Sequence, residues 1–122
     1  MTKTFFFDTY ALIELIKGNS NYEKYKNANK LTSMLNLLEL YYALLLNYNE
    51  RVAEVYYKIF LNFAISYNEE TIKNAAKFRF LNRSKNLSYV DYLGYIMSIE
   101  NNVKFLTGDK EFKSMNNVEF VK

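Results

Sequence analysis

The sequence contains no cysteine, no histidine, no tryptophan and no proline. The first two absences each remove a class of chemistry. Without cysteine there is no disulfide, no thiolate nucleophile and no cysteine-ligated zinc. Without histidine there is no serine–histidine–aspartate triad, no imidazole acid–base pair and no imidazole metal site. Any hydrolysis by this chain therefore falls to carboxylates, lysines, hydroxyls and hard cations. Glycine is scarce, at Gly18, Gly94 and Gly108 only. No linker, repeat or low-complexity tract interrupts the 122 residues, and 1–122 reads as a single domain.

What is present supports a folded core. Half the residues are apolar and 18% are aromatic, enough to build a core at this length without covalent staples. That composition excludes disorder as the main state. The apolar run before Asp8 is too short for a signal-peptide core. The longest apolar stretch, Met34 to Leu46, is broken by Asn36 and Glu39 and cannot span a bilayer. The expectation is a soluble, cytoplasmic protein with no membrane partner. A net charge of +3 does not by itself indicate a nucleic-acid partner, but its distribution is uneven. Lys73, Lys77, Arg79, Arg83 and Lys85 form a run without an acid. That run is either a solvated helix face or a contact for a phosphate backbone.

Hydrophobic periodicity predicts the elements. Thr4 to Phe7 is a short apolar strand. Thr9 to Lys17 is helical in spacing and stops at Gly18. Leu31 and Thr32 begin a second strand, and Ser33 caps a helix over Met34 to Leu46. That helix is apolar nearly all round, so it is buried in the domain or at an interface. Arg51 to Phe63 is amphipathic, with Val52, Val55, Tyr56, Ile59, Phe60 and Phe63 on one side. Ala64 to Tyr67 is a third strand. Asn68 caps a helix with Glu69 and Glu70 in its first turn. Ser88 and Asp91 form a capping-box start for a helix to about Glu100. Val103 to Leu106 and Val118 to Val121 are the last strands. This alternation predicts an α/β fold with a mostly parallel sheet, whose sites lie at the carboxyl ends of strands. The apolar excess from Met34 to Phe63 predicts a partner or self-association surface, with Tyr41, Leu45, Tyr56 and Phe60 as its residues.

Only three aspartates occur: Asp8, Asp91 and Asp109. Asp8 follows the first strand, Asp109 follows the fourth, and Asp91 opens a helix. Glu39 lies among Leu37, Leu38, Leu40, Tyr41 and Tyr42. Each has an ordinary reading taken singly: a turn residue, a cap, a dipole partner, or a glutamate reaching to a groove edge. Taken together they favour one acidic site. Two carboxylates about 4 Å apart repel by ~4 kcal/mol at an effective dielectric of about 20. A cluster of them therefore implies raised pKa values or a divalent cation held by oxygens, Mg²⁺ or Mn²⁺.

Four ordered segments carry a family resemblance: Phe5-Phe6-Phe7-Asp8-Thr9; Leu31-Thr32-Ser33 through Leu37-Leu38-Glu39-Leu40-Tyr41-Tyr42; Ser88-Tyr89-Val90-Asp91; and Phe105-Leu106-Thr107-Gly108-Asp109-Lys110-Glu111-Phe112. In this order and at this length they resemble the PIN domain, specifically the small VapC-type toxin nucleases. The resemblance spans the whole chain. It implies a three-layer α/β/α fold and metal-dependent endoribonuclease activity that leaves a 5′-phosphate and a 3′-hydroxyl. On the matched positions, Asp8, Glu39, Asp91 and Asp109 become the acidic quartet for Mg²⁺ or Mn²⁺, and Thr107 the supporting hydroxyl. It also implies an RNA substrate, a cognate antitoxin and a homodimer. Lys110 and Lys113, near Asp109, together with Arg79, Arg83 and Lys85, are the candidate phosphate contacts. One departure stands out: Tyr92 follows Asp91 where the family usually has a small residue, and it is expected to crowd the pocket. A receiver-like domain is excluded, because Asp8 stands alone and no aspartate lies between residues 9 and 90. A noncatalytic RNA- or protein-binding module of the same fold is the alternative, and cleavage of single-stranded RNA separates the two.

Overall fold

A computed structural model describes residues 2–122. The strands are β1 (Thr4–Phe7), β2 (Asn29–Leu31), β3 (Lys104–Thr107) and β4 (Val118–Phe120). The helices are α1 (Thr9–Lys17), α2 (Met34–Asn47), α3 (Glu50–Leu61), α4 (Glu69–Leu81) and α5 (Tyr89–Glu100). Two short 3-10 helices, Ser20–Tyr25 and Lys110–Phe112, complete the path. The sheet order is β2-β1-β3-β4 and every pair is parallel. The expected α/β architecture is therefore present, with its sheet wholly parallel.

Strand alternation builds the layers. Successive residues of a strand face opposite sides of the sheet. Phe5, Phe7 and Leu106 pack with Leu12 of α1, Leu37, Leu40 and Leu44 of α2, and Ala53 and Phe60 of α3. Phe6 and Phe105 pack on the other side with Ala75 of α4 and Tyr92, Leu93, Tyr95 and Ile96 of α5. Two cores on two faces of one sheet give the three layers. Helix ends follow the predicted chemistry. Ser33 caps α2, Asn68 caps α4 with Thr71 completing a capping box, and Ser88 and Asp91 close the box at α5. Gly18 ends α1 in the left-handed region, at φ 75°, where glycine meets no steric penalty.

Two expectations change. The third strand, Ala64 to Tyr67, is a single parallel bridge between Ala64 and Thr32. The Thr32 amide bonds the Phe63 carbonyl and the Ile65 amide bonds the Thr32 carbonyl, both at 2.9 Å. Pairing stops there because the next residue, Ser33, already turns the chain into α2. The apolar surplus of α2 and α3 also divides differently. Phe60 is buried in the core, Tyr41 and Tyr56 are half-buried against it, and of the four only Leu45 is exposed. The open stripe is instead Met34, Leu38, Tyr42 and Leu46, one residue every four along α2, with Leu38 at 64% exposure and Leu46 at 68%. The 3-10 helix Ser20–Tyr25 was not expected. It buries Tyr22 and Tyr25, whose hydroxyls donate to the Val121 carbonyl and to Glu119, both at 2.6 Å, and so ties the start of the chain to β4.

Gly94 sets how closely α5 lies on the sheet. A Cβ there would come within 2.8 Å of the Phe6 ring, and Phe6 is fully buried. Alanine gains about 1 kcal/mol of helix propensity over glycine, whereas overpacking a core costs about 1–3 kcal/mol. Gly94→Ala is expected to lower the melting temperature by a few degrees in thermal denaturation. A rise would contradict the close approach of α5.

Candidate active site

β1 is central in the sheet, and the chain leaves it toward β2 through α1 and returns to its other side at β3. The crevice beyond β1 and β3 is thus the switch point where parallel sheets hold ligands. Asp8 is the first residue past β1, and Thr107 is the last of β3. Asp109 follows two residues on, as the N-cap of the second 3-10 helix. α2 brings Glu39 and the first turn of α5 brings Asp91.

The ordinary reading of the aspartates is physically present. Asp8 Oδ1 accepts from the Ala11 amide at 2.8 Å and caps α1. Asp91 Oδ2 accepts from the Ser88 amide at 2.7 Å. Asp109 Oδ1 accepts from the Glu111 amide at 3.0 Å. Each bond uses one carboxylate oxygen. A solvated cap, however, favours its charged form, and for Asp8 and Asp91 the opposite holds. Asp8 is 3% exposed, and its pKa is pushed up to about 8. Burial is the main cause, with the Asp91 and Asp109 charges adding to it; the Thr107 side chain and the Ala11 amide oppose it by hydrogen bonding. Asp91 is also raised, first by burial and further by Asp109, against its bonds to Ser88. Glu39 is raised by burial and by Asp91, against a bond from Thr9. Asp91 repels or is repelled by each of the other three, so the four predicted acids share one electrostatic neighbourhood.

Thr107 is fully buried, and its hydroxyl accepts from the Asp109 amide at 3.0 Å. It thus holds the Asp109 turn beside the end of β3. Tyr92 does not crowd this crevice. It turns into the α4–α5 core beside Phe78, and its hydroxyl donates to the Asn82 carbonyl at 3.2 Å. The residue that matters for close packing is Gly94, three positions past the acid.

The basic candidates separate. Lys110 is exposed, directly after Asp109. Lys85 Nζ lies 3.4 Å from the Glu111 carbonyl, and the Asn86 amide donates to Glu111 Oε1 at 3.2 Å, so this loop is tied to the Asp109 turn. Arg79 stacks on Tyr89, with its guanidinium 3.8 Å from the ring centre. Arg83 folds back on its own chain, donating to the Phe80 carbonyl at 2.8 Å. Lys113 lies over the Phe120 ring of β4. The structure groups Lys85 and Lys110 with Asp109 and leaves Arg83 and Lys113 in other contacts. Sequence reasoning read Ser33 only as a cap and missed Thr9 and Asn36, which form a polar chain with it beside Glu39. The one signal was an asparagine inside an apolar helix, three residues after its cap.

The donor set suits a hard divalent cation: carboxylate oxygens only, partly desolvated and mutually repelling. Among the described residues, no three acidic side chains already stand in a geometry that closes round one ion. Each of the four acids has one oxygen in a local hydrogen bond.

The sequence profile of the PIN domain matches residues 5–118, and the chain belongs to that family. Its fold is that of VapC proteins. VapC20 of Mycobacterium tuberculosis, a sarcin–ricin loop cleaving toxin, superposes with a TM-score of 0.79 at 16% identity, over 97% of this chain and 99% of that one. VapBC2 of Rickettsia felis, bound to a DNA fragment from its promoter, gives 0.75 at 19% identity, over 98% and 99%. A toxin–antitoxin complex from Klebsiella pneumoniae gives 0.72 at 17% identity, over 93% and 94%. No curated protein matches the sequence.

A raised carboxyl pKa makes stability fall with pH. Below its unfolded value, 3.8, Asp8 is neutral in both states. Between there and about 8 the unfolded chain ionises while the folded one stays protonated, so folding is progressively penalised, and the penalty levels off above. The metal-free protein is expected to melt lower at pH 8 than at pH 5. Asp8→Asn is expected to remove much of that slope and raise the melting temperature at pH 8 by about 5–10 °C. Thermal scans in EDTA across this range check both; an unchanged slope would mean that Asp8 is solvated.

Proposed function

We propose that this chain is a metal-dependent endoribonuclease acting as the toxin of a toxin–antitoxin pair. The observation that carries this reading is the neighbourhood of Asp8, Glu39, Asp91 and Asp109, in which three of the four carboxyls have raised pKa values. Membership of the PIN domain family, whose members are generally nucleases, supports it, as does the shared fold with VapC toxins.

The four acids would hold Mg²⁺ or Mn²⁺. A bound ion supplies positive charge for a phosphodiester under attack and makes water a usable nucleophile at neutral pH. The chain's own residues do the rest. Thr107 holds the Asp8 carboxyl and the Asp109 turn in fixed relation. Lys110 and Lys85 flank Asp109 and meet the RNA backbone, where each phosphate contact adds salt-dependent affinity. Arg79, Arg83 and Lys113, engaged with Tyr89, the Phe80 carbonyl and Phe120, would have to leave those contacts to join them.

The apolar stripe of α2 and a cytoplasmic setting fit a protein partner, the cognate antitoxin, and a homodimer. The toxin–antitoxin complex and the VapBC2 structure that share this fold support the first of these.

Asp8→Asn and Asp91→Asn are each expected to abolish Mg²⁺-dependent cleavage of single-stranded RNA while the circular dichroism spectrum stays native. Cleavage that persists in EDTA, or survives both substitutions, would overturn the metal mechanism. Sedimentation at micromolar concentration is expected to show a dimer that Leu38→Lys weakens; a monomer throughout would remove the homodimer from this reading.

A further inference from the structure

We propose that Thr9 and Asn36 are positioning residues that fix the Glu39 carboxylate; the inference rests on the reading of Glu39 as a ligand of the proposed nuclease. Glu39 is half-buried in the most apolar helix of the chain. It has a long, flexible side chain, and holding it still costs rotamer entropy. Its Oε1 accepts from the Thr9 hydroxyl at 2.6 Å. The Thr9 oxygen in turn accepts from Asn36 Nδ2 at 3.1 Å. Asn36 Oδ1 accepts from the Ser33 hydroxyl at 2.6 Å, and the Ser33 oxygen accepts from the Asn36 amide at 3.1 Å.

The direction of this chain is fixed at every link. An ionised carboxylate only accepts, so Thr9 must donate its single proton to Glu39. Thr9 can then only accept from Asn36, which must present its NH₂ and leave its carbonyl for Ser33. Flipping the amide would set two acceptors against each other at Thr9. Asn36 is 1% exposed and Ser33 is fully buried, so water does not replace either of these two, while Thr9 and Glu39 are half-buried. Three asparagines at helix ends behave otherwise. Asn47, Asn82 and Asn101 turn their amides back to carbonyls of their own helices. Asn36 instead reaches α1, at the residue next to Asp8. The hydrogen-bond chain therefore ties the helix capped by Asp8 to the helix that carries Glu39.

The test measures Mn²⁺ binding to the full chain by electron paramagnetic resonance, alongside RNA cleavage and thermal melting. Thr9→Val keeps the shape and removes the hydroxyl. It is expected to weaken Mn²⁺ binding by about 10–100-fold, the usual effect of losing a group that orients a ligand. Thr9→Ser is expected to restore binding, and Asn36→Leu to weaken it in the same direction. In a Glu39→Ala background, Thr9→Val is expected to add no further loss. Wild-type affinity in a folded Thr9→Val protein, or an equal loss with and without Glu39, would overturn the proposal. Mn²⁺ binding that follows the expected pattern without any RNA cleavage would leave the positioning role standing and sink the nuclease reading. No Mn²⁺ binding by the wild type would overturn both.

Discussion

The Asp8 carboxyl lies where the central strand ends, inside a sheet edge made of phenylalanines, and a charge there is held against its solvation. Phe5, Phe6 and Phe7 precede it on β1, and β3 covers its other side. The cost of ionising a group in such a place is met by neutralising it, by hydrogen bonds or by an opposite charge. The structure provides the second in part, through Thr107 and the Ala11 amide, and sets two more acids, Asp91 and Asp109, against it. The third is what the proposed cation supplies. Asp8 caps α1, Glu39 lies on α2, Asp91 opens α5 and Asp109 follows β3, so the four acids come from four separate parts of the fold.

Most of the fold was legible because its signals are local. Ser33, Asn68 and Ser88 are caps by residue type, and Gly18 is a stop by conformation. Phe5 to Phe7 is a buried strand of the parallel kind, apolar without alternation because both faces are covered. What failed to show was non-local. Whether Ala64 to Tyr67 pairs depends on whether Thr32 has residues left to offer, and Ser33 has already committed them to a helix. Which side of α2 is open depends on where α3 packs, so Leu38 and Leu46 could not be told from Leu37 and Leu40 by type.

The candidate site divides in the same way. The three aspartates stand at element ends in a chain with no others, so position and scarcity marked them, and Glu39 was marked as an acid inside an apolar helix. Their hydrogen-bonding partners carry no such mark. Thr9 and Asn36 are common residue types, and only the approach of α1 to α2 gives them a role. The basic residues were the least legible. A cation on a long stem is decided by what it meets, and Arg79 meets Tyr89, Arg83 its own helix end, and Lys85 the Glu111 carbonyl.

The Ala11 amide donates to the same carboxylate that anchors the crevice. A hydrogen bond to an ionised acceptor is roughly twice as strong as one to a neutral acceptor. The first turn of α1 is therefore a gauge of the electrical state of Asp8, tightening when the carboxyl is charged and slackening when it is protonated. That state is written into the backbone at one amide proton. Its rate of exchange with solvent reads out the electrostatics of the crevice from inside, without any substrate being present.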